Sequence, residues 1–390
     1  LANDIPVKLK NKWQSCISPL IRYLISADET HALISNHLAT ALAALSRWYL
    51  LTGDVKAEKK SYHILQRILT HQSHEGWFSE YGGADPGYQS LCTYYLADVY
   101  LNHPDMGLLE PLRRSIQFLQ YFVHPDGSFG GIYGSRNTRF YYPAGIIALS
   151  NDIPEAFVVS KFMESSIRRK RTVTLSAMDE PNFIPMFNAY AWAATQFHEQ
   201  NVDKIANLPP SRSSSDFQIC FEDAGLFVDR GIDYYTIIGF HKGGVVYHFP
   251  DDNEPVIDVG VVVKDPSGRL GSTQGYSRNN MLLRLNGEIH IKANITAMPK
   301  QLPAPIQFLL IRIFSLSIFR FSLVREWLKR RLVKLLITRN HVWPASNLRI
   351  IRLGSDINIM DNLSSKPGYK ELKINGVFVA IHMASQGYWQ

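Results

Sequence analysis

The chain is poor in cysteine. Cys16, Cys92 and Cys220 are widely spaced in 390 residues, which excludes a disulfide framework and any Cys-based metal-ligand spacing and leaves the redox compartment open. Long uncharged apolar runs are missing too. The nearest candidate, Pro303 to Ile337, is broken by Arg312, Arg320 and Arg325, so nothing offers the roughly 20 apolar residues that cross a bilayer. There is no P-loop, no dinucleotide glycine fingerprint after a strand, no His-Glu-x-x-His and no Gly-x-Ser-x-Gly elbow. No nucleic-acid module signature appears, and basic charge alone is weak evidence for one; no nucleic-acid partner is expected. Leu1 stands where an initiator methionine would be. The chain is therefore expected to be processed or a fragment, with no signal peptide at its start.

What is present is aromatic and basic. Aromatics make up 12% of the residues, a density that suits a core and equally a cleft that stacks on sugar rings or apolar ligands. The formal charge is +7, a balance that favours nucleic acid, acidic polysaccharide or anionic lipid by its field.

The hydrophobic period changes once. Residues 1–205 read as helices: "HALISNHLATALAALSRWYLLTG" is alanine- and leucine-rich, and Gly53 is a stop signal. His74-Glu75-Gly76-Trp77-Phe78 aligns with His124-Pro125-Asp126-Gly127-Ser128-Phe129 at a period of about 50 residues. Each unit then holds two helices and one Gly/aromatic loop, which predicts an α/α toroid, an incomplete barrel of helix hairpins, with an open solenoid as the alternative. A linker over 206–216 contains "NLPPSRSSSD". From 217 to 390 the period is two, and Asn286-Gly287 and Asn375-Gly376 carry the strongest short hairpin signal. The fold class is α+β multidomain, the toroid being followed by an antiparallel β-sandwich. Into the latter, near 305–338, a basic helix is inserted. It puts Val324, Leu328, Leu332 and Leu335 on one face, with Arg325, Lys329, Arg330, Arg331 and Lys334 around them. Such a helix packs on its own domain or makes peripheral contact with an anionic membrane surface through 324–336.

Few polar groups stand out. Asn36-His37 lies inside an apolar helix, where the pair must be hydrogen-bonded or functional. Tyr88 follows Asp85-Pro86-Gly87 and opens a helix, whose start carries partial positive charge and free N–H groups; it either moves protons or anchors the loop with a buried ring. Arg136 and Arg139 follow a glycine loop among aromatics and suit carboxylates or sulfates. His241 and His248 sit on predicted strands, where a lone histidine is usually structural.

Taken together these strings resemble the heparinase II/III-like polysaccharide lyases. "SNHLATALAAL" looks like the Asn-His motif that opens an inner helix in that family. "GGADPGYQSLCTYYLADVY" looks like its Ser-Pro-x-Tyr-His loop and helix, and "FEDAGLFVDRGIDYYTIIGFHKGGVVYHF" like its opening β strands. Asp85 replaces the family's serine and Gln89 its histidine, and only "VYHFPDDNEP" approaches its His-rich turn.

The resemblance implies β-elimination on a uronic-acid polysaccharide or oligosaccharide. Asn36 would neutralise the carboxylate with Arg136 or Arg139 assisting, and Tyr88 would act as acid, base or both. His37 would orient Tyr88 or share the base role, and His248 or His241 would close the cleft. Trp77, Tyr133, Gln89 and Tyr142 complete the substrate-contacting set. No metal or organic cofactor is needed for that chemistry, and a bacterial periplasm or envelope is the implied place. Two alternatives stay open: a non-catalytic glycan-binding or envelope-assembly protein of the same fold, and a glycoside hydrolase using two of Glu75, Glu80 and Asp85. A terpene-cyclase-like toroid would need an Asp-rich motif in the helical half, which is absent.

Overall fold

The computed structural model describes residues 6–28, 33–196, 208–298, 305–317, 321, 324, 327–328, 342–374 and 376–380. The described residues form helices and antiparallel sheets in succession, the α+β class expected.

Eight helices come first: α1 (Val7–Ser26), α2 (Ser35–Thr52), α3 (Val55–Thr70), α4 (Pro86–Asn102), α5 (Leu109–Leu119), α6 (Pro143–Ala148), α7 (Pro154–Arg168) and α8 (Glu180–Gln196). Their ends follow local chemistry. Gly53 takes a left-handed φ of 72° after α2, as the stop signal predicted. Asp54 caps α3 by accepting from the Lys56 N–H at 3.0 Å. α2 packs on α3 and α4, α4 on α5 and α6, and α6 on α7 and α8. The even-numbered helices thus lie side by side, with α3, α5 and α7 behind them. A core of alanine, leucine and isoleucine fills the space between the layers.

The strands make two antiparallel sheets. β1 (Phe217–Phe221), β2 (Leu226–Arg230), β3 (Tyr234–Gly239), β4 (Val245–Pro250) and β5 (Val256–Asp258) form a meander. The second sheet holds β6 (Val262–Lys264), β7 (Leu270–Ser272), β8 (Met281–Leu285), β9 (Glu288–Ala297), β10 (Val342–Arg352), β11 (Asn358–Ser365) and β12 (Lys370–Leu372). Its order is β11-β10-β9-β7-β6-β12, with β8 also on β9. Asn286 and Gly287 join β8 to β9 at φ 52° and 78°; positive φ at both central residues is the hairpin geometry that Asn-Gly favours. Asn375 of the other Asn-Gly pair lies outside the described residues.

The first sheet is covered on both faces. Tyr235, Ile237, Val245, Tyr247 and Phe249 pack with Phe118, Phe122 and Tyr133 of the helical part. Alternate residues Phe227, Ile238 and Val246 pack with Ile289, Ile291 and Ile351 of the second sheet. That double burial explains why "LFV" and "YYTII" read as continuous apolar runs.

A ninth helix, α9 (Pro305–Leu316), leaves Ile306, Leu309, Leu310, Ile313 and Phe314 exposed along one stripe. The basic helix expected over 324–336 falls mostly outside the described residues. Among those described, no helix is long and apolar enough to cross a membrane.

Candidate functional site

The start of α2 is stitched to the loop before α4. Ser35 donates to the Ser79 carbonyl through both its N–H (3.1 Å) and its hydroxyl (2.8 Å), and the Tyr81 N–H donates to the Leu33 carbonyl. Asn36 then gives Glu80 two hydrogen bonds, backbone N–H to Oε1 at 3.0 Å and Nδ2 to Oε2 at 2.9 Å. Burial pushes the Glu80 carboxyl up to about 8, against the pull of Asn36. The group is therefore neutral near pH 7.

Asp85 ties the next loop to α4. It caps the helix by accepting from the Tyr88 N–H at 3.1 Å, while its other oxygen accepts from the Arg136 N–H at 2.9 Å and the Thr138 N–H at 3.4 Å. The Thr138 hydroxyl donates to the helix-capping oxygen, Oδ1. Burial holds this carboxyl above its ordinary range, with the four donors opposing. Gly87 is needed beside it, because a Cβ there would strike the Thr138 hydroxyl and Cβ and crowd the Phe140 carbonyl.

Tyr88 stands half-buried in the first turn of α4, its ring edge-on to Phe140 with centroids 5.3 Å apart. The expected positive bias of the helix start is opposed by the Asp85 cap.

Two cations and the β domain complete the cluster. The Arg136 guanidinium lies 4.2 Å from the centroid of the Tyr81 ring, and its buried Nε has no acceptor among the described residues. Lys242, on the turn after β3, is 5% exposed. Burial pushes its ammonium down to about 8, Asp85 opposing and Arg136 reinforcing. His241 stands edge-to-face with Tyr276, whose ring lies against Gly83 at the helical loop. Burial first, then Arg278, pushes His241 down to about 4, so the ring is neutral.

Of the residues singled out in the sequence, the structure gathers Asn36, Tyr88 and Arg136 around this loop, with the exposed side chain of His37 next to Asn36. His241 reaches it through Tyr276. His248 does not. Strand alternation sends Val245, Tyr247 and Phe249 toward the helices and His248 the other way, where it bonds the Thr236 hydroxyl at 2.8 Å and the Ser355 carbonyl at 3.2 Å.

The expected substrate contacts divide as well. Gln89 is a buried strut that accepts from the Phe78 N–H and donates to the Ser115 hydroxyl and the Gly76 carbonyl. Trp77, Tyr133 and Tyr142 are at most 3% exposed. The Trp77 indole donates to Glu75 at 2.9 Å, and the Tyr133 hydroxyl bonds His124 Nε2 at 2.8 Å. Arg139 donates to the Tyr247 hydroxyl at 3.1 Å.

Glu75 also accepts from the Asp223 and Ala224 N–H groups, joining the two halves. Glu75, Glu80 and Asp85 thus all accept hydrogen bonds from the framework.

Sequence reasoning missed Lys242, Tyr81 and Tyr276. For Lys242 a signal existed: a lysine wedged between an apolar strand and Gly243-Gly244, both at positive φ. Compared with protein-family models, curated proteins and solved structures, the chain has no match.

Proposed function

We propose that this chain is a polysaccharide lyase-like protein of the heparinase II/III type that receives an acidic glycan between the helical part and the first sheet. The carrying observation is the cluster itself: a neutral Asn36–Glu80 pair, two cations in Arg136 and Lys242, and a half-buried tyrosine, drawn from α2, α4 and the β domain around one loop. β-Elimination removes the C5 proton beside a carboxylate, so the enzyme must absorb charge as the enolate-like state forms. Arg136, Lys242 and the Asn36 amide supply that; Tyr88 moves the proton and returns one to the O4 leaving group, with His37 sharing the base role. Of the two candidate β-domain histidines, His241 takes the part of closing the cleft. On this reading α2, α4, α6 and α8 are the inner helices of an α/α toroid, and the two sheets are its β-sandwich partner.

A second reading, non-catalytic glycan binding or envelope assembly, is favoured by His248 facing away and by Gln89 being a strut. One experiment separates the two. Purified wild type and Tyr88→Phe are screened against uronic-acid polysaccharides by ultraviolet absorbance of the C4–C5 double bond. Wild type should raise the absorbance, and Tyr88→Phe should slow the rise by at least about a hundredfold. Binding without absorbance would replace elimination by the second reading. Peripheral membrane contact belongs to the same proposal, supported by the exposed α9 stripe. The chain should co-sediment with anionic vesicles more than with zwitterionic ones; equal partition would remove this contact.

A further inference from the structure

Arg139 opens onto a cleft of about 430 Å³ between the 126–130 loop, the segment after α7, and strands β4 and β5. Lys170 and Arg171 line the same cleft, and Asp126 is the one acid among its described lining residues. Asp126 is engaged in its own turn, accepting from the Ser128 N–H at 2.9 Å and hydroxyl at 2.7 Å. The cleft is therefore cationic.

Three further features distinguish it from a solvated basic patch. Thr172 lines the cleft at 8% exposure, and its buried hydroxyl has no hydrogen-bond partner among the described residues. A buried hydroxyl left unpaired is unfavourable, and a ligand oxygen would satisfy it. Lys170 holds a left-handed φ of 55° just after α7, where glycine is the unstrained choice; the chain carries that strain and keeps a charge facing the cleft. Tyr247, on the wall, is fixed by the Ile132 N–H at 3.2 Å and in turn orients the Arg139 fork. With Phe129 beside it, Tyr247 gives the cleft an aromatic side.

We infer that this cleft is a subsite for a sugar residue bearing an anionic group, a carboxylate or a sulfate ester. The aromatic side would take the ring, the cations the charge and Thr172 an oxygen. The sugar rests on the function proposed above; the anion preference rests on the cleft alone.

The test is an NMR titration in the Tyr88→Phe background, so that turnover consumes no probe. The probes are a uronate disaccharide, its sulfated form, its carboxyl-reduced neutral form and inorganic sulfate. Backbone amides of 128–130 and 170–174 should shift with the charged probes. Lys170→Ala/Arg171→Ala should weaken the charged disaccharides by about tenfold or more and leave the neutral form unchanged. Thr172→Val should weaken them severalfold with the salt dependence intact. A response to the uronate assigns a carboxylate, and a response only to the sulfated form assigns a sulfate ester. No shift of these amides with any probe up to about 50 mM, or parental affinity in the double variant, would overturn the subsite. Loss of elimination chemistry would not, because absorbance with wild type is read separately.

Discussion

Asp85→Ala is expected to cost the fold about 4 kcal/mol, read as a lower midpoint in urea unfolding. One buried carboxylate receives four donors from two loops: the N–H groups of Tyr88, Arg136 and Thr138 and the Thr138 hydroxyl. Removing an N-cap carboxylate alone costs about 1 kcal/mol. Each buried donor left without an acceptor adds about 1–3 kcal/mol, less whatever water recovers, which brings the sum near the upper range for a single substitution. Asp85→Asn should cost less. It keeps one acceptor for the helix cap but turns an NH₂ group toward donors on its other side. Because the same carboxylate fixes Arg136 relative to Tyr88, the proposed function adds a second expectation, that both variants lose glycan binding beyond their loss of stability. A midpoint within about 1 kcal/mol of wild type for Asp85→Ala would show that the loops do not depend on this group.

This role gives a physical reason for an aspartate rather than a serine at position 85. A single hydroxyl could cap α4. It could not also accept from the 136–138 backbone, which approaches from the other side of the loop.

The parts of the fold that local chemistry decides were legible. The first strand starts at Phe217, past the Pro-Pro and serine stretch, Gly53 stops α2, and Asn286-Gly287 turns the β8–β9 hairpin. Tyr88 at a helix start was legible for the same reason, since Asp-Pro-Gly is a capping sequence. What depended on long-range packing was not. Asn36 finds its partner 44 residues away in Glu80, and nothing in "SNHLATALAAL" announces a carboxylate. Period two located β4 but could not tell which face meets the helices, because the first sheet is buried on both. His241 and His248 therefore stood as alternatives, and His248 lies on the face turned from the helices. Gln89 sat beside the candidate tyrosine in sequence and was read as a contact; the rotation of about 100° between neighbouring helical residues carries it into the interior.

Glu80→Gln should remove a pH dependence of stability, and its sign is fixed. The Glu80 carboxyl is raised from 4.5 to about 8 in the fold. Below pH 4.5 it is protonated folded or unfolded, and stability is fully present. As pH rises from 4.5 toward 8, the unfolded chain ionises and the folded one resists, so stability falls. Each pH unit of that window costs about 1.4 kcal/mol at most, a total of a few kcal/mol after relaxation. Lys242, lowered from 10.5 to about 8, acts the other way: its contribution falls as pH drops from 10.5 to 8, so its slope lies above the Glu80 window. Urea unfolding at pH 5 and pH 8 should find Glu80→Gln near wild type at the first and more stable by a few kcal/mol at the second. The amide preserves the contact, with its oxygen accepting from the Asn36 N–H and its NH₂ meeting a flipped Asn36 side chain. Equal slopes for the two proteins would mean that Glu80 is ionised in the fold and pairs with Arg136 or Lys242. Activity gives the second arm of the same variant. Elimination needs the Asn36–Glu80 pair neutral and should survive Glu80→Gln, whereas hydrolysis with Glu80 as its acid would be lost.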